Sequence, residues 1–291
     1  MNLSKVIFII NLAISLFFVG CSNQSKNTFD NPILKTIEVT MAFESEGLQL
    51  EKSNILANNY LLDGVKPDIF RVVNSKDILF IYSFKQYSSR IKNSSIFNDN
   101  VTLIKKFNPL INDTFPFIRK YEAKNILLVY IPEIINPPDN NVTINDNRLK
   151  SLENIVFKLN EGKQRLYRGE NDYWKGEVLV RYYEYWWEDQ NKMKHYEGYY
   201  SEQPIITYKG PASKDIGNIN YKYEGIGDIT EGNQVNLTQE GTLKVKYREN
   251  HGPIPRDDSV FKITIEWGNK KEVIEMRGVN HDPALIETKN S

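Results

Sequence analysis

Trp174-Lys175-Gly176-Glu177-Val178-Leu179-Val180-Arg181-Tyr182-Tyr183-Glu184-Tyr185-Trp186-Trp187 is the stretch on which the fold turns. Successive side chains of a strand point to opposite faces, so Trp174, Gly176, Val178, Val180, Tyr182, Glu184 and Trp186 share one side. That side is apolar apart from Glu184 and is expected to face a core. Lys175, Glu177, Leu179, Arg181, Tyr183, Tyr185 and Trp187 occupy the other. A period of two held this long predicts a strand rather than a helix.

The same period continues downstream. Short strands are expected at 195–200, 205–208, 219–223, 234–237, 242–247, 260–267 and 271–276, with Gly268-Asn269 as a hairpin turn between the last two. Many short strands separated by turns predict an antiparallel β-sandwich of immunoglobulin-like type. Aromatic residues make up 12 % of the chain, with 17 Tyr and 14 Phe, which suits pleated surfaces.

Upstream the pattern is mixed. Asp30-Asn31-Pro32 is a helix-start signal, followed by Ile33, Leu34, Ile37 and Met41 at helical spacing. Strands are expected at 69–73 and 78–84 around a polar turn at 74–77, then a weakly patterned helix at 85–98. Further strands are expected at 101–104 and 115–118. The run 125–131 is the most continuous apolar segment after the N-terminal stretch and reads as a strand buried on both faces. This order predicts a small α+β domain over 32–135, with helices on one face of a mainly antiparallel sheet. Asn136-Pro137-Pro138-Asp139-Asn140-Asn141 opens a stiff linker, 136–148. An amphipathic helix at 149–159 is grouped with the second domain, 149–280, and 281–291 is expected to be a loose tail. The fold class is α+β.

The chain begins with a basic residue, Lys5, and an apolar run of about fifteen residues that closes on Cys21, the only cysteine. That describes a secretory signal peptide over 1–20; the run is shorter than the ~20 residues that span a bilayer. Val19-Gly20-Cys21 resembles the lipobox of bacterial lipoproteins, although Phe18 stands where that family usually has Leu. The resemblance implies that Cys21 is lipidated and heads the mature chain, with 21–31 as a tether. The expected location is the extracytoplasmic side of a cell membrane, held through lipid on Cys21. Each buried methylene adds about 0.8 kcal/mol of membrane affinity, so two or three acyl chains hold firmly. Two further sets of residues are similar to lipobox-bearing surface lipoproteins of bacilli. Residues 167–177, Tyr-Arg-Gly-Glu-Asn-Asp-Tyr-Trp-Lys-Gly-Glu, and 263–272, Ile-Thr-Ile-Glu-Trp-Gly-Asn-Lys-Lys-Glu, resemble a C-terminal module of that group. Residues 62–67 and 78–84 resemble an N-terminal domain that some of its members carry. These motifs hold packing and turn residues, so they imply a two-domain surface lipoprotein and transfer no functional residue.

Composition narrows the function. Without residues 1–20 the chain keeps 36 basic and 37 acidic residues, which argues against nucleic acid as a partner. No second cysteine exists for a disulfide or a CxxC site. The three histidines, His195, His251 and His281, lack helical metal-ligand spacing, and there is no Gly-x-Ser-x-Gly elbow. Gly225 to Gly232 reads as a turn between strands rather than a phosphate loop. Asp228 with Glu231, and Asp257-Asp258, read as solvated turn carboxylates rather than a calcium site. No catalytic set, metal or cofactor is expected.

Arg181, Tyr183, Tyr185 and Trp187 form the candidate binding face. Tyr and Trp are enriched in binding patches, so the face suits a glycan or an envelope protein. The same residues also suit cross-strand pairing or cover by the helix at 149–159. The expected function is a lipid-anchored binding or interaction module; the alternative is a cell-envelope hydrolase whose site sequence cannot assemble. Cys21→Ser should abolish incorporation of a fatty-acid analogue in growing cells, and labelling that persists would overturn the anchor.

Overall fold

Among the described residues, two antiparallel sheets and three α-helices longer than one residue build the fold, seen in a computed structural model. The structure describes residues 33–99, 107, 118–133, 146–210 and 216–279. The signal peptide, Cys21 and its tether, the expected strands at 101–104 and 115–117, linker residues 136–145 and the tail at 281–291 lie outside them. The class is α+β, mostly antiparallel β.

The first sheet has the order β1-β2-β3-β5-β4, formed by β1 (Leu50–Lys52), β2 (Asp68–Val72), β3 (Ile78–Ser83), β4 (Arg119–Ala123) and β5 (Ile126–Ile131). Every residue of β5 is buried, as a strand covered on both faces requires. Alternation divides its side chains. Ile126, Leu128 and Tyr130 join one core with helices α1 (Thr36–Ser45) and α3 (Asp146–Leu159). Leu127, Val129 and Ile131 join another with Tyr60, Phe107 and Phe97 of helix α2 (Tyr87–Asp99). Helices therefore cover both faces, not one, because a sheet with a fully apolar central strand needs both sides sealed.

Helix α3 starts inside the expected linker span and belongs to this first sheet. Leu152, Ile155, Val156 and Leu159 pack with Val39 and Phe43 of α1, so its apolar stripe is satisfied before the second sheet begins. Helix α1 starts at Thr36, later than Pro32 suggested. Its first turn is closed by the Lys35 N–H donating to Glu38 Oε2 at 2.8 Å. Of the expected stripe, Leu34 is buried while Ile33, Ile37 and Met41 are exposed, and Val39 and Phe43 carry the burial within the helix.

The second sheet has nine strands, eight in the path β10-β9-β13-β14-β6-β7-β8-β11 and β12 off that path, paired to β8. Its members are β6 (Lys163–Glu170), β7 (Trp174–Glu188), β8 (Lys194–Tyr208), β9 (Ile219–Glu224), β10 (Ile229–Val235), β11 (Thr242–Lys244), β12 (Arg248–His251), β13 (Val260–Trp267) and β14 (Lys270–Gly278). Strands expected as two facing sheets are thus joined by hydrogen bonds in one. The sheet curls: Trp174 on β7 lies 5.3 Å from Trp267 on β13, although β6 and β14 separate their strands in the path. Trp174, Val178, Val180 and Tyr182 fill that curl, the inward face that alternation assigns them. Trp186 breaks the pattern at 53 % exposed, because the β7–β8 hairpin there runs out past the core. The segments 195–200 and 205–208 are one strand, β8, paired with β7 from Trp174↔Tyr208 to Glu188↔Lys194. Gly268 turns the β13–β14 hairpin at φ +52°.

Asn125 ties the helical layer to the first sheet. Fully buried, it accepts from the Leu34 N–H at 2.7 Å and donates to the carbonyls of Leu34 and Phe84 at 3.0 and 2.9 Å. Stranding buried backbone partners costs about 1–3 kcal/mol each, so Asn125→Ala should lower unfolding free energy by about 3 kcal/mol in urea titration. A loss below about 1 kcal/mol would show that water replaces the amide.

Candidate functional site

The outward face of β7 and β8 carries Arg181, Tyr183, Tyr185 and Trp187 beside Ser201, Tyr199, Glu197 and His195. The structure divides this candidate face in two. Three of its members are spent on packing against helices α2 and α3.

Trp187 is 4 % exposed, stacked on His195 at 4.2 Å and packed against Tyr87 of α2 at 5.8 Å. Tyr185 meets the edge of Tyr87 at 5.6 Å and donates from its hydroxyl to Glu197 Oε2 at 2.7 Å. Arg181 Nη2 donates to Asn154 Oδ1 of α3 at 2.8 Å, and its guanidinium lies 4.3 Å from the Phe157 ring centre. A guanidinium over a ring gains from the ring quadrupole as well as from contact.

At the first of these anchorages, beside Tyr185, sits Arg90 of α2, which sequence reading passed over. It is 2 % exposed. Its Nε donates to the Lys124 carbonyl at 2.8 Å, one terminal nitrogen pairs with Glu122 of β4, and Nη2 donates to both Glu197 oxygens at 2.7 Å. Burial opposes ionisation of Glu122, but Arg90, Ser94 and Lys120 outweigh it and hold its carboxyl below the usual range. A weakly amphipathic helix gives no hint in sequence that its arginine is an internal cation.

Tyr183 is the member left over. It stacks on Tyr199 at 5.1 Å and 21°, and Tyr199 in turn contacts His251 of β12 at 5.2 Å. This row forms part of the wall of a cleft of about 780 Å³. Leu149, Glu153 and Phe157 of α3 form another part, Arg119 and Tyr121 of β4 a third, and Glu249 and His251 the rim from β12. Burial pushes the Tyr183 and Tyr199 phenols well above their ordinary values and Tyr121 to about 12, so all three remain neutral hydroxyls at neutral pH. Burial, and then the Glu249 charge, raise Glu153 above the usual carboxylate range. The cleft therefore combines flat rings, neutral hydroxyls and two acidic side chains, Glu153 and Glu249.

No family model, curated protein or solved structure matches the chain.

The other groups singled out in sequence are dispersed. His195 pairs with Asp189 at 3.1 Å, Asp228 with Arg248 at 2.5 Å, and Asp257 with Arg165. His281 lies outside the described residues. Gly225 to Asp228 is the turn between β9 and β10, closed by the Gly225 N–H donating to the Asp228 carbonyl at 3.0 Å. Among the described residues no group of three or more His, Cys, Asp and Glu side chains is placed to share a metal ion.

The cleft's electrostatics can be checked directly. Glu249→Gln removes the charge that faces Glu153, so the Glu153 carboxyl midpoint, followed by carbon-detected NMR, should move down toward its ordinary value. An unmoved midpoint would mean that the two carboxylates do not sense one another.

Proposed function

We propose that this is a lipid-anchored binding protein of the extracytoplasmic membrane face, and that its cleft receives a glycan of the cell envelope. The observation that carries the reading is the Tyr183–Tyr199–His251 row forming a wall of a cleft that also presents Glu153 and Glu249. Sugar rings offer an apolar face for stacking and hydroxyl edges for carboxylates and phenols, and this lining matches both. A cleft of several hundred Å³ has room for two or three sugar rings. The reading moves the binding residues from the row Arg181, Tyr185 and Trp187, which supports the cleft from behind, to Tyr183 and its neighbours on β8 and β12. Anchoring through lipid on Cys21 is part of the same proposal and rests on the sequence 6–21. We also read the curled sheet as layered in the manner of an immunoglobulin-like sandwich, supported by Trp174 meeting Trp267 across its interior.

One observation favours a second reading, hydrolysis of that glycan. A carboxyl with a raised proton affinity, Glu153, in one cleft with a second carboxyl group is an arrangement that suits general acid and base work. Glu153 would donate the proton and Glu249 would activate water. Glu153→Gln separates the readings, since binding alone survives it and bond cleavage does not.

The binding test uses soluble oligosaccharide fragments of cell wall and isothermal titration. An aromatic hot spot typically contributes about 2 kcal/mol, so Tyr183→Ala should weaken affinity roughly thirtyfold, whereas Tyr183→Phe keeps the ring and most of the affinity. Trp186→Ala, on the opposite face, should change nothing. Equal affinity for Tyr183→Ala and the unaltered protein, with matching melting curves, would overturn the glycan cleft.

A further inference from the structure

Helix α1 has two apolar sides. Val39 and Phe43 are fully buried, while Ile33, Ile37 and Met41 recur at every fourth position and stand 52, 62 and 60 % exposed. Leu56, at 72 %, is the most exposed large apolar residue among those described. It belongs to the same end of the fold. Thr36 Oγ1 donates to Asp68 Oδ2 at 2.7 Å, Lys52 Nζ reaches Asp68 Oδ1 at 3.1 Å, and Leu56, Lys52, Lys66 and Asp68 line one surface cavity. Single exposed apolar residues are ordinary, but a row of them rimmed by polar groups marks an interaction surface.

Three lysines stand at this end, with the carboxylates of Glu38, Glu51 and Asp68 among them. Lys35, Lys52 and Lys66 are exposed around the start of α1. Asp68, between them, is engaged by Thr36 and Lys52, and the Glu38 carboxylate is turned back onto the Lys35 N–H. Glu44 follows Met41 on the same side and ends the apolar row, so the N-terminal end of the helix is the more apolar end.

Position along the chain selects the occupant. Cys21 precedes Ile33 by twelve residues. At full extension such a segment reaches about 40 Å, so acyl chains on Cys21 keep the start of α1 within that distance of the bilayer. Tethering converts a weak surface affinity into steady contact. Exposed aliphatic side chains beside lysines suit the boundary of an anionic membrane, where apolar groups enter the headgroup layer and lysines meet phosphates.

We propose that the start of α1 docks on the anionic lipid surface, with Ile33, Ile37 and Leu56 entering the headgroup layer and Lys35, Lys52 and Lys66 facing lipid phosphates. This rests on the reading of Cys21 as the lipidated residue. The protein is then seated on the membrane rather than suspended above it.

Because Cys21 is the only cysteine, a lipidated Ile37→Cys protein has one free thiol for an environment-sensitive dye. Ile37 is exposed, so the substitution leaves both cores of the first sheet intact. The full-length lipidated protein is reconstituted into vesicles of phosphatidylglycerol and phosphatidylcholine, with dye at Asn269→Cys in the β13–β14 turn as the control. Dye at position 37 should shift to the blue and be quenched by doxyl groups carried on lipid; dye at position 269 should do neither. Replacing Lys35, Lys52 and Lys66 by Glu should at least halve that quenching. Water-like emission at position 37, in protein whose mass confirms acylation of Cys21, overturns the docking alone. A blue shift without quenching marks burial against a second copy of the chain and overturns it too. Dye uptake by Cys21 itself overturns the anchor reading, and this proposal with it.

Discussion

The Arg90 guanidinium is the group on which the arrangement of the two sheets depends. It lies at the meeting of α2, the β4–β5 turn and the β7–β8 hairpin, and it holds a carboxylate from each sheet, Glu122 and Glu197. Burying a cation is costly unless its donors are all answered, and here the Lys124 carbonyl, two carboxylates and the Tyr185 hydroxyl answer them. The two carboxylates keep a quarter to a third of their surface in water, which limits their own desolvation. Removing one partner from a buried pair costs about 3–5 kcal/mol in general, and that partial hydration places Arg90 toward the lower end. The geometry is as informative as the energy. A planar fork that must meet one carboxylate on each side admits one relative placement of the sheets, which apolar contact alone would leave free to slide.

The cleft follows from that placement. Two attachments fix the outward face of β7 to the helical layer: Arg90 with Tyr185, Trp187 and Tyr87 at the hairpin end, and Arg181 with Asn154 and Phe157 further in. Tyr183 lies between them on the strand and has neither a guanidinium nor a helix ring as its principal contact. Its stacking partners are Tyr185 and Tyr199, in the plane of the sheet. A strand held to its neighbours on both sides of a residue, but not at it, leaves a gap there. The gap is lined by whatever the flanking elements present, which is Glu153 from α3 and Tyr121 from β4. The cleft is thus a consequence of how the support was built.

The alternation in 174–187 gave the inward and outward faces of β7 because a period of two is a local property that burial on one side enforces. The continuous run in β5 likewise announced its burial. Other features were illegible for identifiable reasons. The break expected between 200 and 205 rests on Ser201, Glu202, Gln203 and Pro204, yet Glu202 is 1 % exposed, in the middle of β8. Its counter-ion, Arg248, arrives from β12, more than forty residues away. The covering of Trp187 by Tyr87 joins residues a hundred positions apart. For α1, Ile33, Leu34, Ile37 and Met41 form the expected stripe, but Val39 and Phe43 also have helical spacing, and periodicity alone does not choose between two such rows. The row that contains Phe43 faces the core, and Ile37 and Met41 face water. Within the cleft, Tyr183 was legible as part of an aromatic face, whereas Glu153 and Glu249 stand on separate elements and come together only in the folded chain.

Charge balance teaches the same lesson about scale. A chain with equal numbers of acidic and basic residues has no global attraction to an anionic surface, yet Lys35, Lys52 and Lys66 gather where α1 begins. Beyond about 10 Å at ordinary salt a charge is screened, so a surface responds to the lysines near it and not to the sum over the protein. Helix α1 packs on α3 through Val39, Phe43, Leu152 and Val156, and α3 carries Glu153 and Phe157 into the cleft. An α1 held against lipid would therefore hold one wall of the cleft through a single layer of side chains. The cleft would then open at a set height and orientation above the membrane. That is the difference between a cleft that samples all directions on a tether and one held at a single orientation.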